Sequence, residues 1–502
     1  MKNEDSILTK QTEEIKTISE EVKVVSCTLG DLLGSSTTPI ALKDGDSLKG
    51  QLVIPEYQRP YVWREKQINK LLNDLIEHNA IDIEDKPMYY LGSIILHQDE
   101  DQLKIIDGQQ RITTALLIKK IAHPNFISGI NYTSALSISR IKKNLSYLKS
   151  VQNGEIYEYR ENLELLNSFD FDKVNVTLIV TNTEDLAYTF FETQNTGGVR
   201  LSGSDILKAH HLRALPNPKL VNYQARRWES INSDHVERVV ELLTKIRFWD
   251  NRKWRKYPFY RDKSGIKSSI IDEYTINTKS NNKDISYYYS SVNNDSGRRM
   301  QMHESPYRQI KQPLSNGNNT LDYINEYVSL YEILFGASKD HRVATEFYDF
   351  KKRVVHGYNG TIFLKELFEI AMVAYVSRFG FYRMFEAAMW LYRAIYSLRV
   401  TSNRNVREDS VFKFVYERQF IDNIIEVFTP DELFTFLKKF RYTFNTAYID
   451  KGKSKRNHIK TLLRYFSDDF IKSADHYKNK PAHFDRDLMR AISNKLKEYP
   501  HE

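Results

Sequence analysis

The stretch Asp107-Gly108-Gln109-Gln110-Arg111 has the residue types of a phosphate-binding turn. It follows a short apolar run that begins at Lys104, and apolar residues at helical spacing begin at Ile112. The stretch therefore lies between a predicted strand and the first turn of a predicted helix, where Gly108 permits a tight turn. The N–H groups and dipole at a helix start attract anions. The hydroxyls of Thr113 and Thr114 follow as further candidate ligands.

Each side chain of this stretch has a possible role in nucleotide chemistry. The guanidinium of Arg111 would contact phosphate, because its fork of donors matches phosphate oxygens. Gln109 and Gln110 would position water or the nucleotide, and Asp107 would organise the turn or the hydration shell of a Mg²⁺ ion. The alternative is a capped helix start with a surface arginine, since Asp is common immediately before a helix.

A second stretch, VIPEYQRPYVW from Val53 to Trp63, places an amide and a cation among aromatic rings. Its prolines stiffen an extended backbone. Rings suit a nucleotide base and an arginine suits a phosphate, whereas an aromatic packing segment would have a similar sequence. The nucleotide-binding candidates here are Tyr57, Gln58, Arg59, Tyr61 and Trp63.

A third stretch, FFETQNTGGVRLSGSDILKAHHL, joins a glycine-rich turn to a predicted helix. Ser202 and Asp205 have the spacing of a capping box. Ser204 and Asp205 stand where a Walker motif needs Lys and Ser or Thr, which excludes a P-loop. A glycine-rich anion-binding turn remains open, with Asn195 and Lys208 as its candidate ligands.

Taken together, the three stretches resemble the signature blocks of the GmrSD-type restriction endonuclease N-terminal domain, with LGSIIL preceding IIDGQQRITTALLI in the central block. The resemblance covers about residues 24–215. It implies a ParB/sulfiredoxin-like fold that binds and hydrolyses a nucleoside triphosphate to control the cleavage of foreign or modified DNA. The motif positions transfer onto Asp107, Gln109, Gln110 and Arg111, with Gln58 and Arg59 from the second block.

The C-terminal part departs from this family pattern, because many relatives carry a His-rich nuclease core there. Here the histidines are scattered, and the polar tail around His476, His483, Asp485 and Asp487 is interpreted as solvated residues, with no metal site. Cleavage of DNA by this chain alone is therefore not expected from the C-terminal sequence.

A basic stretch rich in aromatic residues runs from Arg247 to Lys267. Cations bind phosphates and rings stack on bases, so this pattern suits nucleic acid, although a solvated charged face has a similar composition. The candidate DNA-binding residues are Arg247, Arg252, Lys253, Trp254, Arg255 and Lys256. A second basic run, Lys451 to Lys460, is a weaker candidate for nucleic-acid binding because it lacks aromatic residues.

Composition narrows the class of protein. Hydrophobic residues make up 41% of the 502 residues, and the net charge of +8 is too small to identify a nucleic-acid binder by itself. The one cysteine, Cys27, excludes a disulfide framework and fits a reducing compartment. The charged start and the lack of a long apolar run predict a cytoplasmic protein without a membrane span.

The elements that must position these residues are short strands alternating with helices, followed by a helical half. Strands are predicted at 51–54, 89–97, 104–106 and 174–180, and helices at 67–78, 112–121 and 185–193. The predicted fold class is α+β: an N-terminal ParB/sulfiredoxin-like α/β domain followed by a large, mainly α-helical domain. The predicted boundaries are an arm or helix at 1–23, the nucleotide-binding domain at 24–215, a basic aromatic segment with a mobile insertion at 216–320, and the helical domain at 321–502.

The resemblance to the GmrSD-type domain, together with the DGQQR stretch, implies an anti-phage, restriction-type protein that binds and hydrolyses a nucleoside triphosphate, with Mg²⁺, through that stretch. The alternatives are a non-catalytic DNA-binding or partner-regulating subunit, and a DNA endonuclease or nickase whose active site lies in the N-terminal domain. DNA, a partner nuclease or other defence-system subunit, and a second copy of the chain are the expected partners.

Overall fold

The computed structural model describes residues 22–34, 39–80, 87–162, 170–184, 186–187, 202–250, 257–275, 285–295, 299–403, 405–449 and 453–499. The chain forms two compact units. The N-terminal unit comprises the segments Met1–Leu201 and Asn217–Glu229. The helical unit comprises Ser202–Pro216 and Ser230–Glu502.

The N-terminal unit is built on a five-stranded mixed sheet of order β1-β7-β5-β6-β4. The pairs β1–β7 and β5–β6 are antiparallel, whereas β5–β7 and β4–β6 are parallel. A small hairpin, β2–β3, lies outside this sheet. The strands are β1 (Val22–Thr28), β2 (Ile40–Ala41), β3 (Ser47–Leu48), β4 (Gln51–Val53), β5 (Tyr89–Asp99), β6 (Gln102–Asp107) and β7 (Val174–Thr181).

Alternate residues of the strands point to one face of the sheet, where they pack against helices. On β7, for example, Val176 and Leu178 are fully buried in this core together with Ile68 and Ile112 from two helices. The helices of the unit are α1 (Leu29–Leu32), α2 (Glu65–Ala80), α3 (Gln109–Ala122), α4 (Ala135–Gln152) and α6 (Pro218–Glu229). The core thus fixes the direction of α3, which begins one residue after β6 ends.

The second unit is mostly helical. Two of its helices, Ile362–Phe379 and Met384–Thr401, are buried on nearly all sides, as expected for the interior of a large helical domain. The elements are α5 (Gly203–Arg213), α7 (Ser233–Asp250), α8 (Lys263–Thr275), β8 (Tyr288–Asp295), β9 (Arg299–Arg308), α9 (Asn318–Phe335), α10 (Thr345–Phe350), α11 (Ile362–Phe379), α12 (Met384–Thr401), α13 (Glu408–Arg418), α14 (Phe420–Glu426), α15 (Pro430–Lys439), α16 (Lys453–Phe466), α17 (Ala474–Asn479) and α18 (His483–Lys497).

The predicted fold class is confirmed: a mixed α/β unit precedes a mainly helical one. All four predicted strands are present, as are the helices predicted at 67–78 and 112–121. Ser202 caps α5 and forms the predicted capping box with Asp205. Most of the helix predicted at 185–193, and almost all of the arm at 1–23, lie outside the described residues.

The predicted mobile insertion is wrong in part. Strands β8 and β9 pair as an antiparallel hairpin, and α9 begins at Asn318. The Asn, Ser and Gly residues between 277 and 320 suggested a loop, but paired backbone groups form a hairpin with little help from side-chain propensity. Residues 276–284 and 296–298 lie outside the described part of the chain.

A buried ion pair connects two helices of the helical unit. The guanidinium of Arg393, on α12, is fully buried and donates to both carboxylate oxygens of Asp485, on α18, at 2.8 and 2.7 Å. It also donates to the carbonyl oxygens of Leu437 and Phe440. Asp485, which the sequence suggested was solvated, is therefore a buried structural residue.

We expect Asp485→Asn to lower the free energy of unfolding by about 3–5 kcal/mol, because it leaves the buried charge of Arg393 without a counter-ion. The matched control is Asp475→Asn, which removes an exposed ion pair to Arg456 and should cost less than about 1 kcal/mol. Denaturant unfolding followed by circular dichroism measures both. Equal losses would contradict the structural role of the buried pair.

Candidate functional site

The candidate site begins where β6 ends and α3 starts. Gly108 joins them with φ +95°, a left-handed conformation that favours glycine. A Cβ atom there would also lie 2.9 Å from Cγ1 of Ile94. No side chain caps the start of α3, so its first N–H groups and the positive end of its dipole face the turn without a side-chain acceptor.

Arg111 is anchored on strand β5. Its Nη1 donates to the carbonyl oxygen of Leu91 at 3.2 Å, and its Nη2 donates to that of Ser93 at 2.6 Å. Nη2 also lies 3.2 Å from the carboxylate of Asp107, and both side chains remain partly exposed. Arg111 is therefore a fixed cation at the surface, held by three acceptors of its own unit.

Gly92 makes room for this guanidinium. It has φ +115°, and a Cβ atom at this position would lie 2.1 Å from Nη1 of Arg111. The register of β5 against β7 shifts between Tyr90 and Gly92. The irregular strand thus turns carbonyl oxygens toward Arg111, a use of strand irregularity that is common beside functional sites.

Tyr90 extends the polar surface around Arg111. Its hydroxyl lies 3.2 Å from the hydroxyl oxygens of Ser93 and Thr177, and its ring is exposed. Hydrogen bonds with these two residues, together with the charge of Arg111, lower the pKa of Tyr90. Sequence reasoning did not select Tyr90, although it directly precedes the LGSIIL stretch.

Gln110 connects α3 to the aromatic stretch. Its Oε1 accepts from the backbone N–H groups of Val62 and Trp63 at 2.9 and 3.3 Å, and its Nε2 donates to the carbonyl oxygen of Pro60 at 3.1 Å. Gln58 makes a second connection, from Nε2 to the carbonyl oxygen of Ile106 at 2.8 Å. The two predicted blocks therefore form one surface, and the amide of Gln110 is used to hold it.

Gln109 differs from its neighbour. It is buried, and its Oε1 has no hydrogen-bond partner within the described part of the chain. A buried amide oxygen without a donor is costly, and such groups occur where a ligand or a water completes the site. The Oε1 of Gln109 is thus a buried amide acceptor at the helix start that stays unsatisfied among the described residues.

Three other candidates, Tyr61, Thr113 and Thr114, are buried and hydrogen-bonded within the unit. The hydroxyl of Tyr61 lies 2.8 Å from Oγ1 of Thr114, and Asn144 donates to that hydroxyl at 3.0 Å. Asn144 also donates to the carbonyl oxygen of Trp63. Thr113 accepts from Tyr132, another residue that the sequence did not single out. These contacts indicate that the network supports the site from beneath, with Tyr57 also buried.

Arg59 is the cation of this surface that remains available. It is half-buried, and it has no ion pair or hydrogen bond from its side chain among the described residues. The flanking contacts of Gln58 and Pro60 fix its backbone next to the end of β6. Arg59 can therefore bind an anion without giving up an internal partner.

Of the other predicted site residues, the structure describes two, and both belong to the helical unit. Lys208 is buried on α5, in the helical unit. Arg247 is paired with Glu273 and donates to the carbonyl oxygens of Ile310 and Gln312, which gives it a structural role. Asn195 and the run Arg252, Lys253, Trp254, Arg255 and Lys256 lie outside the described residues, so their roles remain predictions.

A divalent cation would find few protein ligands here. No group of three or more His, Cys, Asp or Glu side chains that could hold a metal occurs in the described part of the chain. Asp107 is the carboxylate at the end of β6, and it is already shared with Arg111. This fits Mg²⁺, which keeps several waters and is often held by one or two carboxylates plus substrate phosphates.

Comparison with known families supports the assignment of this region. Residues 42–212 match the family described as GmrSD restriction endonuclease, N-terminal domain. Residues 220–454 match a family of unknown function, DUF7834. No curated protein matches the chain. In the described ranges, no helix is both long and apolar enough to cross a membrane.

We expect Gly92→Ala to destabilise the protein by about 2–4 kcal/mol, because the added methyl group combines backbone strain with a clash against Arg111. The control is Gly45→Ala, which has φ +89° but nothing within 4 Å of the added Cβ. It should cost about 1–2 kcal/mol from backbone strain alone. Denaturant unfolding of both variants tests this, and equal losses would show that Arg111 does not require the space above Gly92.

Proposed function

We propose, on the premise that residues 42–212 are a GmrSD-type restriction endonuclease N-terminal domain, that this domain binds and hydrolyses a nucleoside triphosphate and thereby controls action on foreign DNA. The observation that carries the proposal is the uncapped first turn of α3, which contains both the fixed Arg111 and the buried Oε1 of Gln109, an acceptor without a partner among the described residues. DNA is the expected target because of the restriction family to which the domain belongs.

Phosphate binding would use three donors of this surface. The first N–H groups of α3 and its dipole favour an anion. Arg111 adds a fixed positive charge whose geometry is already set by Leu91 and Ser93. Arg59 adds a second cation that can close on the phosphate, since it has no internal partner among the described residues.

Hydrolysis would require a water aligned with the terminal phosphorus atom. In this reaction the water oxygen forms a bond to that phosphorus, the bond to the bridging oxygen breaks, and the water proton passes to solvent or phosphate. Gln109 is the residue we assign to orient this water through its free Oε1. Gln110 instead positions the aromatic stretch, since both ends of its amide are engaged. Mg²⁺, when bound, would neutralise developing charge on the phosphates.

A second candidate is a subunit that binds a nucleotide without turning it over and regulates a partner. The use of Gln110 inside the domain favours this alternative, because one of the two motif amides is no longer free to act on water. Phosphate release from each triphosphate by the purified chain distinguishes the two. Plasmid nicking by the same chain with Mg²⁺ tests the third option, an endonuclease active site in this domain.

We expect Gln109→Leu to abolish most hydrolysis while leaving the stability unchanged or slightly higher. Leucine has a similar volume and removes a buried polar oxygen that has no partner, which should be neutral or gain up to about 1 kcal/mol. Phosphate release and thermal unfolding are measured on the same preparation. Retained hydrolysis would remove Gln109 from the catalytic assignment.

We expect Arg59→Ala to weaken triphosphate binding by roughly thirty- to a hundredfold, the effect of losing a charge-assisted contact of about 2–3 kcal/mol. Its stability should change little because no hydrogen bond or ion pair with a described residue is lost. Arg64→Ala is the matched control, since Arg64 is an exposed arginine near the same stretch. Calorimetric titration of both variants decides the matter, and equal affinities would exclude Arg59 from the site.

A further inference from the structure

Three basic side chains are buried together in the helical unit, and none of them forms an ion pair with a described residue. Arg399 lies on α12 and is 2% exposed, while Lys455 and His458 lie one turn apart on α16 and are 3% and 1% exposed. The backbone joins the two helices at this point, because Asn445 donates to the carbonyl oxygen of Val400 and accepts from Nζ of Lys455.

Neutral groups contact these cations. Arg399 donates from Nη2 to the carbonyl oxygen of Gly360, and its Nε has no partner among the described residues. Lys455 donates to the carbonyl oxygens of Asn445 and Ala447 at 2.6 and 3.0 Å, which leaves one of its three N–H groups. Neither side chain has a carboxylate partner in the described part of the chain.

Two acids of neighbouring helices are paired with other arginines. Asp485 binds Arg393, and Glu369 binds Arg238. Lysine and arginine are almost never fully buried unless they are paired. Burial and the charge of Arg399 lower the pKa of Lys455 to about 8, whereas an arginine guanidinium keeps its charge in proteins. The cluster therefore carries positive charge without a carboxylate partner among the described residues.

Hydroxyl groups complete the cluster. Tyr358 and Tyr392 place their hydroxyls 2.9 and 3.3 Å from Nδ1 of His458, and Tyr396 stacks on the same imidazole ring. Burial raises the pKa of each tyrosine, so the hydroxyls remain protonated and can donate. Burial and Arg399 lower the pKa of His458 to about 3, so the imidazole is neutral.

We propose that Arg399 and Lys455 form an internal binding site for a small oxyanion of the phosphate class. The Nε of Arg399, which has no partner among the described residues, and the remaining N–H of Lys455 supply the charged donors. The hydroxyl of Tyr358 is already engaged with Nδ1 of His458. A tetrahedral oxyanion has enough acceptor oxygens to meet these donors and the charge to balance them. The ligand holds α12 and α16 together and stabilises the helical unit.

The test is a titration of inorganic phosphate into the full-length protein, freed of phosphate and kept at constant ionic strength. A ligand that binds the folded state raises the unfolding temperature with concentration. We expect such a rise for the wild type and a loss of roughly thirtyfold or more in apparent phosphate affinity for Arg399→Met. In phosphate-free buffer Arg399→Met should be at least as stable as the wild type, because it removes an unpaired buried charge.

The controls separate this site from general salt effects. Arg464→Met changes an exposed arginine on α16 and should keep the wild-type response. Sulfate tests the oxyanion class, and a nucleoside monophosphate tests whether the phosphate belongs to a nucleotide. If wild type and Arg399→Met respond alike, the proposal is wrong.

A second measurement remains decisive even if Arg399→Met does not fold. Protein purified without phosphate exchange is unfolded in acid, and the released anions are measured by ion chromatography. A stoichiometric amount of phosphate or sulfate supports the site. Absence of any released oxyanion, together with an unfolding temperature that phosphate does not change, overturns it.

Discussion

The amide of Gln110 joins two parts of the N-terminal unit that are almost fifty residues apart in sequence. By accepting from Val62 and Trp63 and donating to Pro60, it directs three hydrogen bonds to the backbone of the aromatic stretch. A buried amide satisfied in this way is rigid, because every alternative orientation leaves a polar group unpaired. The position of Arg59 next to the start of α3 depends on this connection.

The two arginines of the site differ in how firmly their side chains are held, because only one of them has acceptors among the described residues. Arg111 is held by carbonyl oxygens of β5 and by Asp107, so it supplies charge at a fixed point. Arg59 has no such acceptors among the described residues and can move toward a ligand. A fixed cation reduces the reorganisation needed on binding, whereas a free one can follow the phosphate. The two stretches thus supply a fixed cation, Arg111, and a movable one, Arg59, to the start of α3.

The sequence predicts β4 to β7, α2 and α3 of the N-terminal unit, whereas β1 to β3, α1, α4 and α6 are not predicted. It does not predict that Gln110 is structural, because the residue type at a helix start does not reveal whether its side chain faces solvent or a neighbouring backbone. The roles of Gly92 and Asn144 depend on contacts with residues at least nineteen positions away. The β8–β9 hairpin was missed because its pairing is a backbone property that its Asn- and Ser-rich composition conceals.

Helix α12 contains two buried arginines whose charges are treated differently: one has a carboxylate partner, and the other has none among the described residues. Arg393 is neutralised by Asp485 and adds two carbonyl contacts, so its desolvation is offset within the chain. Arg399, six residues further on, has a carbonyl acceptor and an unpaired Nε, and its neighbour Lys455 adds a second positive charge. The same low dielectric that strengthens the first pair makes the second cluster unfavourable alone. The chain itself therefore neutralises the charge of Arg393. The charge of Arg399 and Lys455 is neutralised when an anion from outside the chain binds to the cluster.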